Sequence, residues 1–302
     1  MRSAAGWAEA FPERRFAIES AAGLGHLLAQ QLVAVGEEVL DVPATLAARV
    51  RVLGSGKASK NDPNDALSTA IAGLRHRRLR HVSGDDHASV LRMLGDRHHD
   101  LTALRTQAVC RLHALLANLS AGGLSGRLSA PRAAGLLRSI RSTDAVVMER
   151  RRQALDLLAD VRRLDRDLVG LKARITEAVE ASKTSLTDIF GVGPVTAALV
   201  LGHSGDVDRF ASRDHYASYN GTAPLEASSG PKKRHRLNPR GNRQLNHALH
   251  MAAVTQVGHD TAGRAYYQCK IAEGKTKKEA LRALKRRISD AVYRALVADS
   301  NR

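Results

Sequence analysis

Two hydroxyl side chains, Ser228 and Ser229, stand directly before Gly230, at the head of a run that carries Lys232, Lys233, Arg234, Arg236, Arg240 and Arg243. From Pro231 to His250 that run contains no carboxylate. A small hydroxyl in a glycine-bounded loop is a group that can attack phosphorus, and cations beside it can hold a phosphate and take up the charge that develops on it. Upstream, the stretch begins as a helix at Leu186, breaks at Gly191-Val192-Gly193 and restarts as a helix at Pro194. Glycines allow close approach, proline suits the first helical turn, and the new N-terminus offers unpaired N–H donors, so Gly191 and Gly193 are candidate phosphate-binding positions. The stretch reads as the reaction centre of a DNA-handling enzyme. Taken alone, Ser229 beside Gly230 equally suits a simple turn.

Three carboxylates elsewhere offer a complement. Glu19 closes the apolar run RFAIE, at the C-terminal end of a strand, where α/β sheets place their sites. Asp62 and Asp65 are three residues apart, so a helix running from 62 to 74 projects both from one face. Asp62 also suits an N-cap, with Pro63 at the first helical position and Asp65 in the first turn. Converging with Glu19, the two aspartates would make a divalent-metal site of the kind used in phosphoryl chemistry.

The elements that must position these groups follow from periodicity. Residues 5–11 read as the tail of a helix closed by Pro12. Residues 15–19 and 38–42 (EVLDV) are strands, separated by a helix over 21–35 with Gly36 at its C-cap. Strand–helix–strand predicts a parallel pair with a right-handed crossover, and Pro43 opens a further helix through Leu53. Two strands alone do not make a stable sheet, so the sequence is expected to start in mid-domain or to have strands supplied by a partner. A basic loop, GSGKASK, precedes the aspartate helix, and RHRRLRH (75–81) leads into a long helix over 88–119. Breaker-rich residues near 120–143 mark a linker or a pair of short helices. A helix over 144–182 then repeats apolar residues every three or four positions, as a coiled-coil arm or an ordinary core-packing helix would. An amphipathic basic helix over 276–299 closes the chain and is expected to pack on the last domain.

Composition narrows the partners. The 302 residues carry a formal net charge of +17 with a pI near 10.6, which points to a polyanion bound through counterion release. With only 3% aromatic residues and no apolar run of bilayer length, a membrane is not the expected partner. The N-terminus lacks signal-peptide architecture, and Cys110 and Cys269 are too few for a disulfide framework, so a reducing cytoplasm is expected. Cys110 and His113 have ligand-like spacing but no second pair, and both are read as packing residues. His76, His81, His98 and His99 are read as surface or DNA-side residues. GLGHLL lacks the third glycine of a dinucleotide fingerprint, and GSGKAS lacks the glycine a P-loop needs at Arg51.

The order of Glu19, Asp62-x-x-Asp65, a long helical arm, GVGPVTA, and ASSG followed by RGNRQLN resembles one group of bacterial insertion-sequence transposases, family one-hundred-ten, relatives of the Piv invertase. The resemblance covers nearly the whole chain. It implies a fold that is α/β plus mostly α: a partial RNase H/RuvC-like (DEDD) domain over 1–80, a helical, coiled-coil arm over 81–182, and a helical C-terminal domain over 183–302 containing a helix-hairpin-helix and the serine loop. It implies that Glu19, Asp62 and Asp65 belong to an acidic quartet binding Mg²⁺, and that Ser229, with Ser228 as the near alternative, is the nucleophile in DNA strand cleavage and exchange. It further implies DNA as substrate, a guide (bridge) RNA, and a homo-oligomer, dimer or tetramer, with composite sites. The quartet's first aspartate belongs upstream of Glu19, where this sequence has none, so an N-terminally truncated chain is the expectation. Two rival readings are a RuvC-like metal-dependent nuclease, in which water attacks, and an inactive nucleic-acid-binding remnant.

Overall fold

The structure, a computed structural model, describes residues 8–55, 61–76, 79–120, 124–226, 235–236, 238 and 241–302. The chain divides into two compact units, Met1–Asp86 and His87–Arg302.

In the first unit, β1 (Phe16–Glu19) lies parallel to β2 (Val39–Val42), with Phe16 opposite Val39 and Glu19 opposite Val42. Helix α1 (His26–Ala34) connects them. Alternation sorts the strand residues onto two faces. Phe16, Ile18 and Val39 pack with Ala29 and Leu32 of α1, while Ala17 and Val42 pack with Ala47, Val50 and Ala72 of α2 (Ala44–Ser55) and α3 (Asp62–Arg75). The helix expected from Ala21 starts five residues later. Residues 20–25 form a turn in which Gly23 and Gly25 donate to Ser20 O, and the Ala21 N–H donates to Asp41 Oδ1 at 2.9 Å. The two-strand expectation is corrected too. A third strand, β3 (Arg80–His81), pairs antiparallel with β2, Leu40 opposite His81 and Asp41 opposite Arg80. Both β3 residues are exposed and basic, so no apolar alternation announced it; Arg80 donates to Asp41 Oδ2 at 3.1 Å. Of the helix expected over 5–11, residues 5–7 lie outside the described residues; from Ala8 the chain runs into a turn closed by Phe11 N donating to Ala8 O at 3.0 Å.

The second unit is built on α4 (His87–Ala117) and α6 (Ala145–Ala181). The pair is antiparallel: His87 bonds Ala178 O at 2.8 Å, and Arg105 pairs with Asp165 at 2.5 Å near the middle of both helices. The apolar stripe of α6, including Leu158, Val161, Leu171 and Ile175, is buried in one cluster with Leu91, Leu101, Leu112 and Leu116 of α4. That stripe therefore meets a helix of its own chain. Asp144 caps α6 by accepting from Val147 N, as its position before the apolar period suggests. The breaker-rich stretch between the long helices holds α5 (Ala130–Ser139), capped by Ser129.

The same cluster continues through α7 (Pro194–Ser204), α8 (Arg213–Tyr219), α9 (Arg243–Gly258) and α11 (Lys277–Ser300), with α10 (Ala262–Ala272) packed alongside. Strands β4 (Leu225–Glu226) and β5 (His235–Arg236) form an antiparallel hairpin between α8 and α9. Helix α11 starts in a capping box of Thr276 and Glu279 and buries Leu284, Ile288, Val292 and Leu296. Near its end, Asp299 accepts from Thr184 Oγ1, Ser185 N and Ser185 Oγ at 2.7–2.9 Å, tying down the 3-10 turn Ser185–Asp188 that precedes Gly191. Cys110, expected in the packing, is exposed and free, as is Cys269. Among the described residues no helix is long and apolar enough to cross a membrane.

Candidate functional site

Glu19 ends β1 and is exposed, on the face that also carries Ala17. Helix α3 crosses that face closely: a Cβ added at Gly73 would lie 2.8 Å from Ala17 Cβ. The N-cap of α3 is Asn61, which accepts from Asn64 N at 2.9 Å, so Asp62 is the first helical residue and not the cap. Asp62 is exposed, whereas Asp65 is half-buried in a salt bridge with Arg51 of α2. Carboxylates are the right donors for a hard divalent cation. Yet among the described residues no group of three or more His, Cys, Asp or Glu is gathered to hold a metal, and Arg51 already neutralises Asp65. As they stand, the side chains do not fit a bound Mg²⁺. Asp41, on β2, lies on the opposite face of the sheet from Glu19 and serves as a latch for Ala21 and Arg80.

In the second unit, Ser228, Ser229, Lys232, Lys233, Arg234 and Arg240 lie outside the described residues. Arg236 is on β5, opposite Leu225. What the structure does describe is the foot of the β4–β5 hairpin, where residues before β4 meet residues after β5. Asn242 N donates to Tyr219 O at 2.7 Å, and Asn238 Nδ2 to Ser218 O at 3.2 Å. Gly221 has φ +74, and a Cβ on Gly241 would lie 2.5 Å from Gly221 Cα. Only a glycine lets the returning chain pass at backbone contact. Asn242 then caps α9 by accepting from Leu245 N, and Arg243, exposed, opens that helix. The glycine and the first asparagine of RGNRQLN thus have local structural duties.

Beneath the foot runs a buried polar network that the sequence reading missed. Asn220, fully buried, donates to Ser289 Oγ at 2.8 Å and accepts from Thr222 N and Thr222 Oγ1. Asn246 donates to Asn220 O at 3.0 Å and accepts from Lys285 Nζ at 2.6 Å. Burial pushes the Lys285 ammonium down to about 8, with Arg243 and Arg282 adding repulsion. A signal was present: Lys285 falls on the apolar stripe of its helix, between Leu281, Leu284 and Ile288. Beside the network, His203 Nε2 lies 3.0 Å from Asp96 Oδ1, and Asn242 Nδ2 lies 3.5 Å from His203 Nδ1. Burial holds the imidazole below its ordinary range against the pull of Asp96, so at neutral pH it is uncharged, Nε2 donating to Asp96 and Nδ1 accepting from Asn242.

The two glycines of the GVG turn differ. Gly191, at φ +86, is packed so tightly on α9 that a Cβ would lie 2.7 Å from Ala252 O. Gly193 faces open space and caps α7 without a side-chain hydrogen bond, with Pro194 opening the helix. Its N–H end borders a cavity of about 450 Å³ lined also by Lys183, Thr184 and Thr187. A phosphate approaching this turn would meet Gly193 and not Gly191.

Comparison with known proteins adds to this geometry. Residues 183–268 match the family described as transposase IS116/IS110/IS902, and residues 1–120 match the DEDD transposase family of IS110 elements. The chain is 42% identical over 124 residues to the insertion element IS110 uncharacterized 43.6 kDa protein of Streptomyces coelicolor, covering 40% of this chain and 31% of that protein. Over 332 residues it is 27% identical to the insertion element IS900 uncharacterized 42 kDa protein of Mycobacterium paratuberculosis, covering 94% of this chain and 83% of the relative. The insertion element IS116 uncharacterized 44.8 kDa protein of Streptomyces clavuligerus is 27% identical over 333 residues, covering 94% and 82%.

Proposed function

We propose that the chain is an IS110-family transposase, a reading supported by the matches over its first 120 residues and over residues 183–268, and that it cleaves and exchanges DNA strands through a covalent phosphoserine. Ser229 is the proposed nucleophile, with Ser228 the alternative. Its Oγ–P bond forms as the bond from phosphorus to a sugar oxygen breaks; the serine proton leaves to a base and the sugar departs as a hydroxyl. Reversal by a second sugar hydroxyl restores a phosphodiester, so no nucleotide cofactor is required. Lys232, Lys233, Arg234, Arg236, Arg240 and Arg243 hold phosphates along the acid-free run. Glu19, Asp62 and Asp65 are the residues that would contribute to a Mg²⁺ site were Asp65 released from Arg51 and the three brought together, and an ion held there would supply charge neutralisation at a phosphate. A guide RNA and a homo-oligomer with shared sites complete the proposal.

The observation that carries this reading is the pairing of the two matched regions in one chain, the second of which contains both serines between β4 and β5. The match of residues 1–120 to a DEDD transposase domain also favours a second reading, a RuvC-like nuclease in which water attacks. The two are separated on a nicked suicide DNA substrate. Covalent capture should be lost in Ser229→Ala and kept in Ser228→Ala. Capture that survives in Ser229→Ala and vanishes in Ser228→Ala reassigns the nucleophile, and free ends from the double variant favour the nuclease.

A further inference from the structure

The Lys285 ammonium has three donors and an obligatory charge while protonated. The residue is 6% exposed, and its Nζ bonds Asn246 Oδ1, a neutral acceptor. A buried cation is normally matched by a carboxylate, because an uncompensated one is costly. Here the described groups that act on it electrostatically are both cations, Arg243 at the start of α9 and Arg282 one turn back on α11. On α9, His247 and His250 also sense Lys285, and His247 meets His99 of α4 edge-to-face with ring centroids 5.9 Å apart. Three helices thus bring basic side chains to one place, with no carboxylate paired to Lys285 among the described residues. The arrangement is one that an anion would complete.

We propose that Lys285, seated on Asn246 between α9 and α11 and flanked by Arg243 and Arg282, forms a phosphodiester-binding site at the foot of the β4–β5 hairpin. The nature of the anion rests on the transposase reading; the need for an anion rests on a lysine buried against a neutral acceptor. Nucleic-acid backbone fits better than a free carboxylate ligand, because Arg243 and Arg282 are exposed and can grip neighbouring phosphates while Lys285 takes one from below. Through Asn246 and Asn220 the bound phosphate would be coupled to the residues from which β4 departs.

The test uses the full chain, with labelled duplex DNA and single-stranded RNA of matching sequence as probes, followed by anisotropy across a salt series. Lys285→Met should weaken binding about three- to tenfold and reduce the slope of log affinity against log salt by about one. Lys285→Arg should keep the affinity. Lys277→Met, an exposed residue of the same helix, should leave affinity within about twofold and serves as the net-charge control. The probe with the larger loss identifies whether DNA or RNA occupies the site. A second readout needs only folded protein: wild-type affinity should fall as pH rises through about 8, where His247 and His250, both held below the ordinary imidazole range, are already neutral, and Lys285→Arg should abolish that fall. Unchanged affinity and slope in Lys285→Met, an equal loss in Lys277→Met, or an unaltered pH profile in Lys285→Arg overturns the site. If wild type binds neither probe, the transposase reading falls with it; if binding through Lys285 holds but no covalent adduct forms, that reading falls alone.

Discussion

Asn220 is the residue with most to lose from a small change. Its side chain is bonded to Ser289 and Thr222 in a place water does not reach, so Asn220→Ala leaves partners unpaired. At about 1–3 kcal/mol per buried group left unsatisfied, the variant should lose about 2–4 kcal/mol in denaturant unfolding. Lys285 gives a pH signature of opposite character. Its folded value is lowered to about 8, from 10.5 in the open chain. Between those values the unfolded state holds the proton and the native state has released it, so this residue's contribution to stability rises from pH 8 to 10.5 and is lost again as pH falls towards 8. The stability difference between wild type and Lys285→Met, followed by unfolding at successive pH values, should therefore narrow or reverse in favour of wild type across that window. Arg51 is the counterpart in the first unit: Arg51→Ala frees Asp65 and should tighten Mg²⁺ binding measured by calorimetry, and unchanged affinity would argue against an acidic metal site on α3. None of these pairings was legible in the sequence. The acidic positions were, but Arg51 and Asp65 meet only because α2 and α3 fold over one sheet face, and Lys285 looked like one more cation on a basic helix.

At the scale of elements, local chemistry was legible and long-range pairing was not. The period and cap of α6 were readable because Asp144 and the apolar stripe lie within one helix, and the same holds for Thr276 and α11. Strand β3 was hidden because two exposed basic residues become a strand only through their register with β2. The hairpin foot lies between these cases. Gly241 was visible as a glycine, but its contact with Gly221 was not. Gly241→Ala places a methyl group 2.5 Å from backbone that cannot swing aside. It should cost about 1–3 kcal/mol in thermal or denaturant unfolding, and it should lower adduct formation more than Lys277→Met does, because the chain enters β4 and leaves β5 at that contact.

For the molecule as a whole, a net charge of +17 fixes the class of partner before any fold is known, since a polyanion is what such a chain attracts. On the proposed reading, two units with separate cores divide the chemistry: carboxylates in the first, hydroxyls and cations in the second. What composition cannot say is which hydroxyl reacts. Mass spectrometry of the trapped protein–DNA complex answers that directly. After nuclease digestion, a nucleotide phosphate should remain on the peptide containing Ser228 and Ser229, with fragmentation placing it on Ser229. Cleaved DNA with free ends and that peptide unmodified would contradict the covalent account.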